Sequence, residues 1–228
     1  MSVAVVQFPG SNCDRDCVRA VGALGGVAAL VWHKDDALPS TTTAVILPGG
    51  FSYGDYLRTG AMAAHAPVMK AVKRFADDGG PVLGICNGFQ ILCESGLLPG
   101  VLMPNAGGRF VCTDVDLVVE SARKGMLRHL TRGARLTLPV AHGDGRYFAD
   151  DDALDLLAKS DAVALRYVAR DARGDARVNG ARRCIAGVVG GPRDNVLGLM
   201  PHPERRAESR LGGTDGAPLL RALLEEAR

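Results

Sequence analysis

Pro81-Val82-Leu83-Gly84-Ile85-Cys86-Asn87-Gly88-Phe89-Gln90 is the stretch on which the reading of this chain turns. The apolar run 81–85 reads as a buried strand and 87–98 as a helix, with Cys86 on the turn between them and Gly84 and Gly88 to either side. That is the G-x-nucleophile-x-G arrangement of a nucleophile elbow, with sulfur in place of oxygen. The two glycines let strand and helix crowd together while the central residue takes a strained backbone. The thiol then stands at a helix N-terminus, where exposed N–H groups and the helix dipole favour the thiolate. Alone the pattern decides little, because free cysteines are commonly small buried hydrophobes.

A second run, Met200-Pro201-His202-Pro203-Glu204, decides more. A cysteine nucleophile needs a base, and the base needs an orienting group. Met200 and His202 each precede a proline, which pushes both toward extended backbone. In an extended chain side chains two apart share a face, so Glu204 is expected to hold one imidazole nitrogen of His202 while the other faces Cys86. The apolar run 196–199 is expected to deliver this pair as the end of another strand.

The third piece is Ala44-Val45-Ile46-Leu47-Pro48-Gly49-Gly50-Phe51. A buried strand that ends in two glycines brings backbone close to a ligand and presents N–H groups to it. The N–H groups of Gly50 and Asn87 are the candidate oxyanion hole for a tetrahedral intermediate. One helix separates this turn from the elbow strand, which places both at one edge of a parallel sheet.

The surrounding pattern supports that sheet. Strands are predicted at 3–8, 27–32 and 44–47, and helices at 12–24, ended by Gly25-Gly26 with Val18 and Val21 inward, and at 61–76, with Val68, Val72 and Phe75 on one face. The second half is strand-like at 110–119, 135–141, 162–168, 185–189 and 196–199, with little helix between, and closes on a helix at 217–227. The implied fold is α/β: a single-domain, flavodoxin-like three-layer arrangement with a mainly parallel central sheet, an antiparallel extension, and helices on both faces. Ligands in such sheets bind outside the carboxyl ends of the strands, where all three pieces fall.

These residues resemble the class I (triad-type) glutamine amidotransferases. Gly-Ile-Cys-Asn-Gly-Phe-Gln from residue 84, the Pro-Gly-Gly turn at 48–50 and His-Pro-Glu at 202–204 carry the likeness. The runs 9–14, 48–56, 141–147 and 195–205 narrow it to glutaminase subunits that serve an ATP-dependent synthetase of purine biosynthesis. Residues 125–135 and 171–183 follow that pattern poorly. The resemblance implies that Cys86 attacks the side-chain amide of L-glutamine, that His202 and Glu204 complete the triad, and that backbone at Phe51 and Gly143 helps hold the substrate. Gln90, one helical turn beyond Cys86, becomes an amide clamp for glutamine, and His142 either walls the pocket or sits in a turn. The implied partners are a large synthetase subunit, which carries ATP and Mg, and a small bridging subunit. Amination of formylglycinamide ribonucleotide to the formylglycinamidine is the implied outcome.

Composition agrees without deciding. At 228 residues, 47% hydrophobic and 23% charged, the chain is of ordinary globular make-up. Its formal charge of +2, with only short pairs such as Arg182-Arg183 and Arg205-Arg206, gives no nucleic-acid footprint. No apolar run of about eighteen residues and no leader pattern is present, so the expectation is a cytoplasmic protein without a membrane partner. Cys13 and Cys17 lie four apart, but no second pair stands at zinc spacing. No metal site and no cofactor of the chain's own is expected, and the thiols are expected reduced. Cys13 reads as packing or substrate rim, and Arg58 as touching either substrate or partner. A chain with neither a G-x-x-x-x-G-K-[ST] nor a G-x-G-x-x-G loop shows no means of binding ATP itself. Other readings fit the same residues: a glutaminase for a different synthetase, a cysteine hydrolase with the same elbow, or a binding module with an inert cysteine.

Overall fold

The structure, a computed structural model, describes residues 1–122, 125–169 and 178–227. Its elements run β1 (Ser2–Gln7), α1 (Asp14–Ala23), β2 (Val27–Trp32), β3 (Ala44–Leu47), α2 (Pro67–Asp77), β4 (Val82–Ile85) and α3 (Asn87–Glu94). They continue with β5 (Val101–Met103), β6 (Val111–Val119), β7 (Arg135–His142), β8 (Arg146–Phe148), α4 (Asp151–Lys159), β9 (Val163–Val168), β10 (Ile185–Gly190), β11 (Val196–Leu199) and α5 (Ala217–Glu226). One nine-stranded sheet has the order β2-β1-β3-β4-β11-β10-β9-β6-β7, and β5 pairs with β8 apart from it. Neighbours from β2 to β11 are parallel, and every pairing beyond β11 is antiparallel. This is the α/β sheet with an antiparallel extension that the alternation of elements predicts.

The central strands β3, β4 and β11 are buried at every residue, as short Val/Ile/Leu runs covered on both faces should be. α1 and α5 lie together, since a side chain on Gly26 would strike both Val21 and Leu224. α3 packs on β3, β4 and β11, and α1 packs on β1 and β2.

Several boundaries differ from the sequence reading, each for a local reason. α2 starts at Pro67 rather than near 61, because Ala66 precedes proline and is held extended (φ −61°, ψ 146°). α3 stops at Glu94, four residues short of the expected end, where Gly96 takes φ +75°. α4 is missed altogether, although Asp150 caps it by accepting the Ala153 N–H at 2.8 Å. Of the poorly matching runs, 125–135 opens with a short helical turn (Gly125–His129) packed on α5. In the other, residues 171–177 lie outside the described residues.

Register puts the three pieces of chemistry side by side. Leu47 of β3 pairs with Gly84 of β4, and Ile85 of β4 pairs with Leu199 of β11. The Pro-Gly-Gly turn, Cys86 and the His202 segment therefore leave three adjacent strands at one edge. The crowding there is severe. A Cβ on Gly88 would lie 1.9 Å from Leu47 O, and one on Gly84 would lie 2.7 Å from Gly88 O. Gly88→Ala is expected to cost about 1–3 kcal/mol by overpacking and to lower Tm by roughly 3–10 °C for a chain of this size. A thermal melt unchanged within about 1 °C would show that helix and strand have room to part.

Candidate active site

Cys86 occupies a strained turn, with φ 51° and ψ −104° at a non-glycine residue. Its N–H donates to Leu199 O at 2.8 Å and its carbonyl accepts Gln90 N at 3.1 Å, so the backbone is fixed from both sides. Sγ lies 3.8 Å from Ala141 O, in the floor of a cleft at the N-terminus of α3. Asn87 opens that helix, where first-turn N–H groups have no carbonyl inside the helix to bond. Across the cleft Gly50 has φ +149°, and a Cβ there would lie 2.7 Å from Gly10 O, so only glycine fits.

His202 is 1% exposed and Glu204 is fully buried. Nδ1 of the imidazole and Oε1 of the carboxylate are 2.6 Å apart. The pair is made differently from the expected extended strand. His202 is extended (φ −104°, ψ 89°), but Pro203–Arg206 is a 3₁₀ turn, and that turn swings Glu204 back under the ring. Proline at the first position pre-sets the turn, and this outweighs the strand-like continuation. His202 N–H donates to Pro139 O at 2.8 Å, tying the segment to β7. Burial alone would lower the His202 pKa, yet the Glu204 carboxylate and then the Cys86 sulfur carry it well above the ordinary histidine value. The Nε2 nitrogen is buried and has no partner within bonding distance, although Cys86 is near enough to act on its charge. The ring is therefore biased toward its protonated form beside the sulfur.

Several of the groups expected to hold substrate have partners within the protein. Phe51 donates its N–H to Gly10 O (2.9 Å), its carbonyl accepts Gly54 N (2.8 Å) and keeps a second lone pair, and its ring is half-exposed. Gly143 accepts Asn105 N at 2.8 Å through its carbonyl. Gln90 is buried, with Nε2 donating to Asp144 O (2.6 Å) and Oε1 accepting from Asn87 Nδ2 (2.8 Å). It braces α3 against the turn after β7 and retains one N–H for a ligand. His142 walls the cleft, its Nδ1 held 3.1 Å from Asn105 Oδ1, and burial followed by nearby His202 lowers its pKa to about 4. Arg58 forks onto Glu94 at 2.7 and 2.5 Å.

Three features escape the sequence reading. Cys13 is neither rim nor plain packing: it is fully buried behind the His202–Glu204 pair, with Sγ 3.9 Å from His202 Nδ1 and accepting from Arg205 Nη2 at 3.0 Å. The Nδ1 it approaches is already held by Glu204, whereas Cys86 faces the free side of the ring and the open cleft. Cys13, His202 and Glu204 also form the one grouping of three metal-ligating types among the described residues. Two of those donors are bonded to each other and a guanidinium sits on the third, so the set does not suit a cation. Asp55 and Asp144 share the cleft wall, Asp55 on a loop where it, Tyr53 and Leu57 all have positive φ, and Asp144 in the turn between β7 and β8. Both fall in runs that carry the family likeness, 48–56 and 141–147, but no spacing in the sequence singles out these two carboxylates. The larger concavity of about 640 Å³ beside α2, lined by Lys70, Lys73 and Arg74 among others, has no cysteine in its lining.

Comparison with known proteins agrees with this geometry. Residues 1–211 match the model of the CobB/CobQ-like glutamine amidotransferase domain. The phosphoribosylformylglycinamidine synthase subunit PurQ of Novosphingobium aromaticivorans is 53% identical over 222 residues, 97% of this chain and 95% of that one. The protein of the same name from Rhodospirillum rubrum is 51% identical over 228 residues, covering 99% of each chain. Among solved structures, a chain of PurLQS from Thermotoga maritima superposes with a TM-score of 0.86 at 42% identity, covering 100% of this chain and 99% of that one. With a nucleophile elbow, a buried His–Glu pair and likeness along its whole length, the chain belongs to the CobB/CobQ-like glutamine amidotransferase family, in the branch of the phosphoribosylformylglycinamidine synthase subunits named PurQ.

Proposed function

We propose that this chain is the glutaminase subunit of a phosphoribosylformylglycinamidine synthase, acting as one glutamine amidotransferase domain. The observation that carries the reading is Cys86 at a strained elbow beside a buried His202 whose pKa Glu204 and that sulfur raise. The thiolate of Cys86 attacks the side-chain carbonyl carbon of L-glutamine, and the carbonyl electrons move to an oxyanion facing the N–H groups of Gly50 and Asn87. When that intermediate collapses the C–N bond breaks, and His202 gives its proton to the departing nitrogen to release ammonia. Neutral His202 then takes a proton from water as the oxygen attacks the thioester. Collapse of the second intermediate frees glutamate and returns the thiolate.

Ammonia released into water would be protonated and lost as a nucleophile. The reading therefore includes docking on a large synthetase subunit that activates formylglycinamide ribonucleotide with ATP and Mg, together with a small bridging subunit. Likeness to a chain of PurLQS supports that association. No helix among the described residues is long and apolar enough to cross a membrane, which fits the cytoplasmic setting we propose. Glutamate release from glutamine, measured for the chain alone and with its synthetase, is expected to rise roughly tenfold or more on assembly, about 1.4 kcal/mol of barrier. Equal turnover in both conditions would remove the coupling from the proposal.

A further inference from the structure

We infer that Asp55, with the bare Nε2 of His142 as second acceptor, forms the subsite that takes the α-ammonium group of glutamine. The inference deepens the glutaminase reading and rests on it. Both residues line the cleft that holds Cys86. Oδ1 of Asp55 is enclosed and has no hydrogen-bond partner, and a buried carboxylate oxygen left in that state is costly. The nearest cation on the same loop, Arg58, is forked onto Glu94 instead. Asp144 adds a second carboxylate to the wall, and the cation that lines the adjoining concavity with them, Arg58, is the one already held by Glu94. An amino-acid substrate brings the missing cation with it.

His142 supplies the second observation. Asn105 Nδ2 donates to Arg109 O and to His142 O, while its Oδ1 accepts Gly145 N–H at 3.1 Å. That orientation makes Oδ1 an acceptor for His142 too, so the ring proton sits on Nδ1. Nε2 is then a lone pair, on a residue 2% exposed, with no protein donor. A carboxylate and a neutral imidazole in one wall match an ammonium group with three N–H donors.

Titration supplies a signature. Burial first and Asp144 second raise the Asp55 pKa to about 6. The groups facing it are Asp144 after β7, His142 at the end of β7, Arg58 and Thr59 on its own loop, and Cys86 and Gln90 at the elbow. His142 stays neutral down to about 4 and does not titrate in the same window. Above about 6 the Asp55 carboxylate is present to bind ammonium, and below it that attraction is lost.

The test compares alkylation of Cys86 in the full chain by the diazo-ketone analogue of L-glutamine and by its counterpart lacking the α-amino group. Rates read by intact mass give a ratio in which ionisations that affect both reagents alike cancel. A charge-assisted hydrogen bond predicts a wild-type ratio of about 10–100. The ratio should fall as pH drops through about 6. In Asp55→Asn it should collapse to within about threefold of unity and become flat with pH, with partial recovery in Asp55→Glu. An Asp55→Asn ratio equal to wild type overturns the subsite. A wild-type chain whose Cys86 reacts with neither reagent overturns the glutaminase reading beneath it.

Discussion

Cys86→Ala, assembled with the synthetase, is expected to lose glutamine-dependent amination by about 10⁴-fold or more, as removal of a nucleophile does where several groups act as a unit. Amination driven by added ammonium should survive, because the acceptor is activated on the other subunit and ammonia from solution bypasses the thioester. The two assays on one preparation separate chemistry from assembly. Loss of both would make Cys86 a residue of the docked complex. Cys13→Ala is the companion measurement. Its sulfur lies 3.9 Å from Nδ1, on the side of the ring already held by Glu204, so it has no free base. Its loss should disturb the setting of the histidine and Arg205 without abolishing turnover, and the glutamine-dependent rate should fall far less than in Cys86→Ala. If the two variants lost activity in the reverse order, the assignment of the nucleophile would change hands.

The parts of this site that are legible in the sequence are those fixed by local backbone chemistry. Gly84 and Gly88 announce the elbow because no other residue tolerates Gly88 O, Leu92 and Leu47 O at such distances. The two prolines around His202 announce an ordered segment, yet they do not say whether it continues as strand or closes into a turn. Glu204 meets the imidazole in either geometry, so the pairing was readable although its route was not. What stays hidden depends on contacts between distant segments. Gln90 looks like a free clamp on a helix face until Asp144, 54 residues away, is seen to accept its amide hydrogen. Phe51 looks available until Gly10 takes its N–H. Cys13 and Arg205 meet across 192 positions of chain, and neither carries a local mark of it. The boundary errors are of another kind: the helix expected from 61 was set by apolar spacing alone, and the conformation that Pro67 imposes on Ala66 overrides spacing.

Glu204→Gln is expected to lower glutamine-dependent kcat by about 10²–10⁴-fold, the range over which acid–base catalysis contributes. The amide keeps the shape of the carboxylate and an oxygen to accept from Nδ1, so what is removed is charge. Burial, which alone would lower the His202 pKa, then prevails over the remaining influence of the Cys86 sulfur. Neutral at working pH, the ring has no proton to give the departing ammonia, and the activity that survives should show its histidine limb displaced to lower pH. The same shift has a signature in stability. A histidine whose folded pKa is raised contributes stability that is fully present below its unfolded value of about 6.5 and is lost as pH rises through the folded value. Wild type should therefore exceed Glu204→Gln in Tm by most near pH 6, with the gap narrowing as the solution is made alkaline. A gap that widens with pH would place the proton elsewhere in the cluster. A variant within about tenfold of wild-type kcat would reduce Glu204 to a packing group, since even modest acid–base assistance exceeds that.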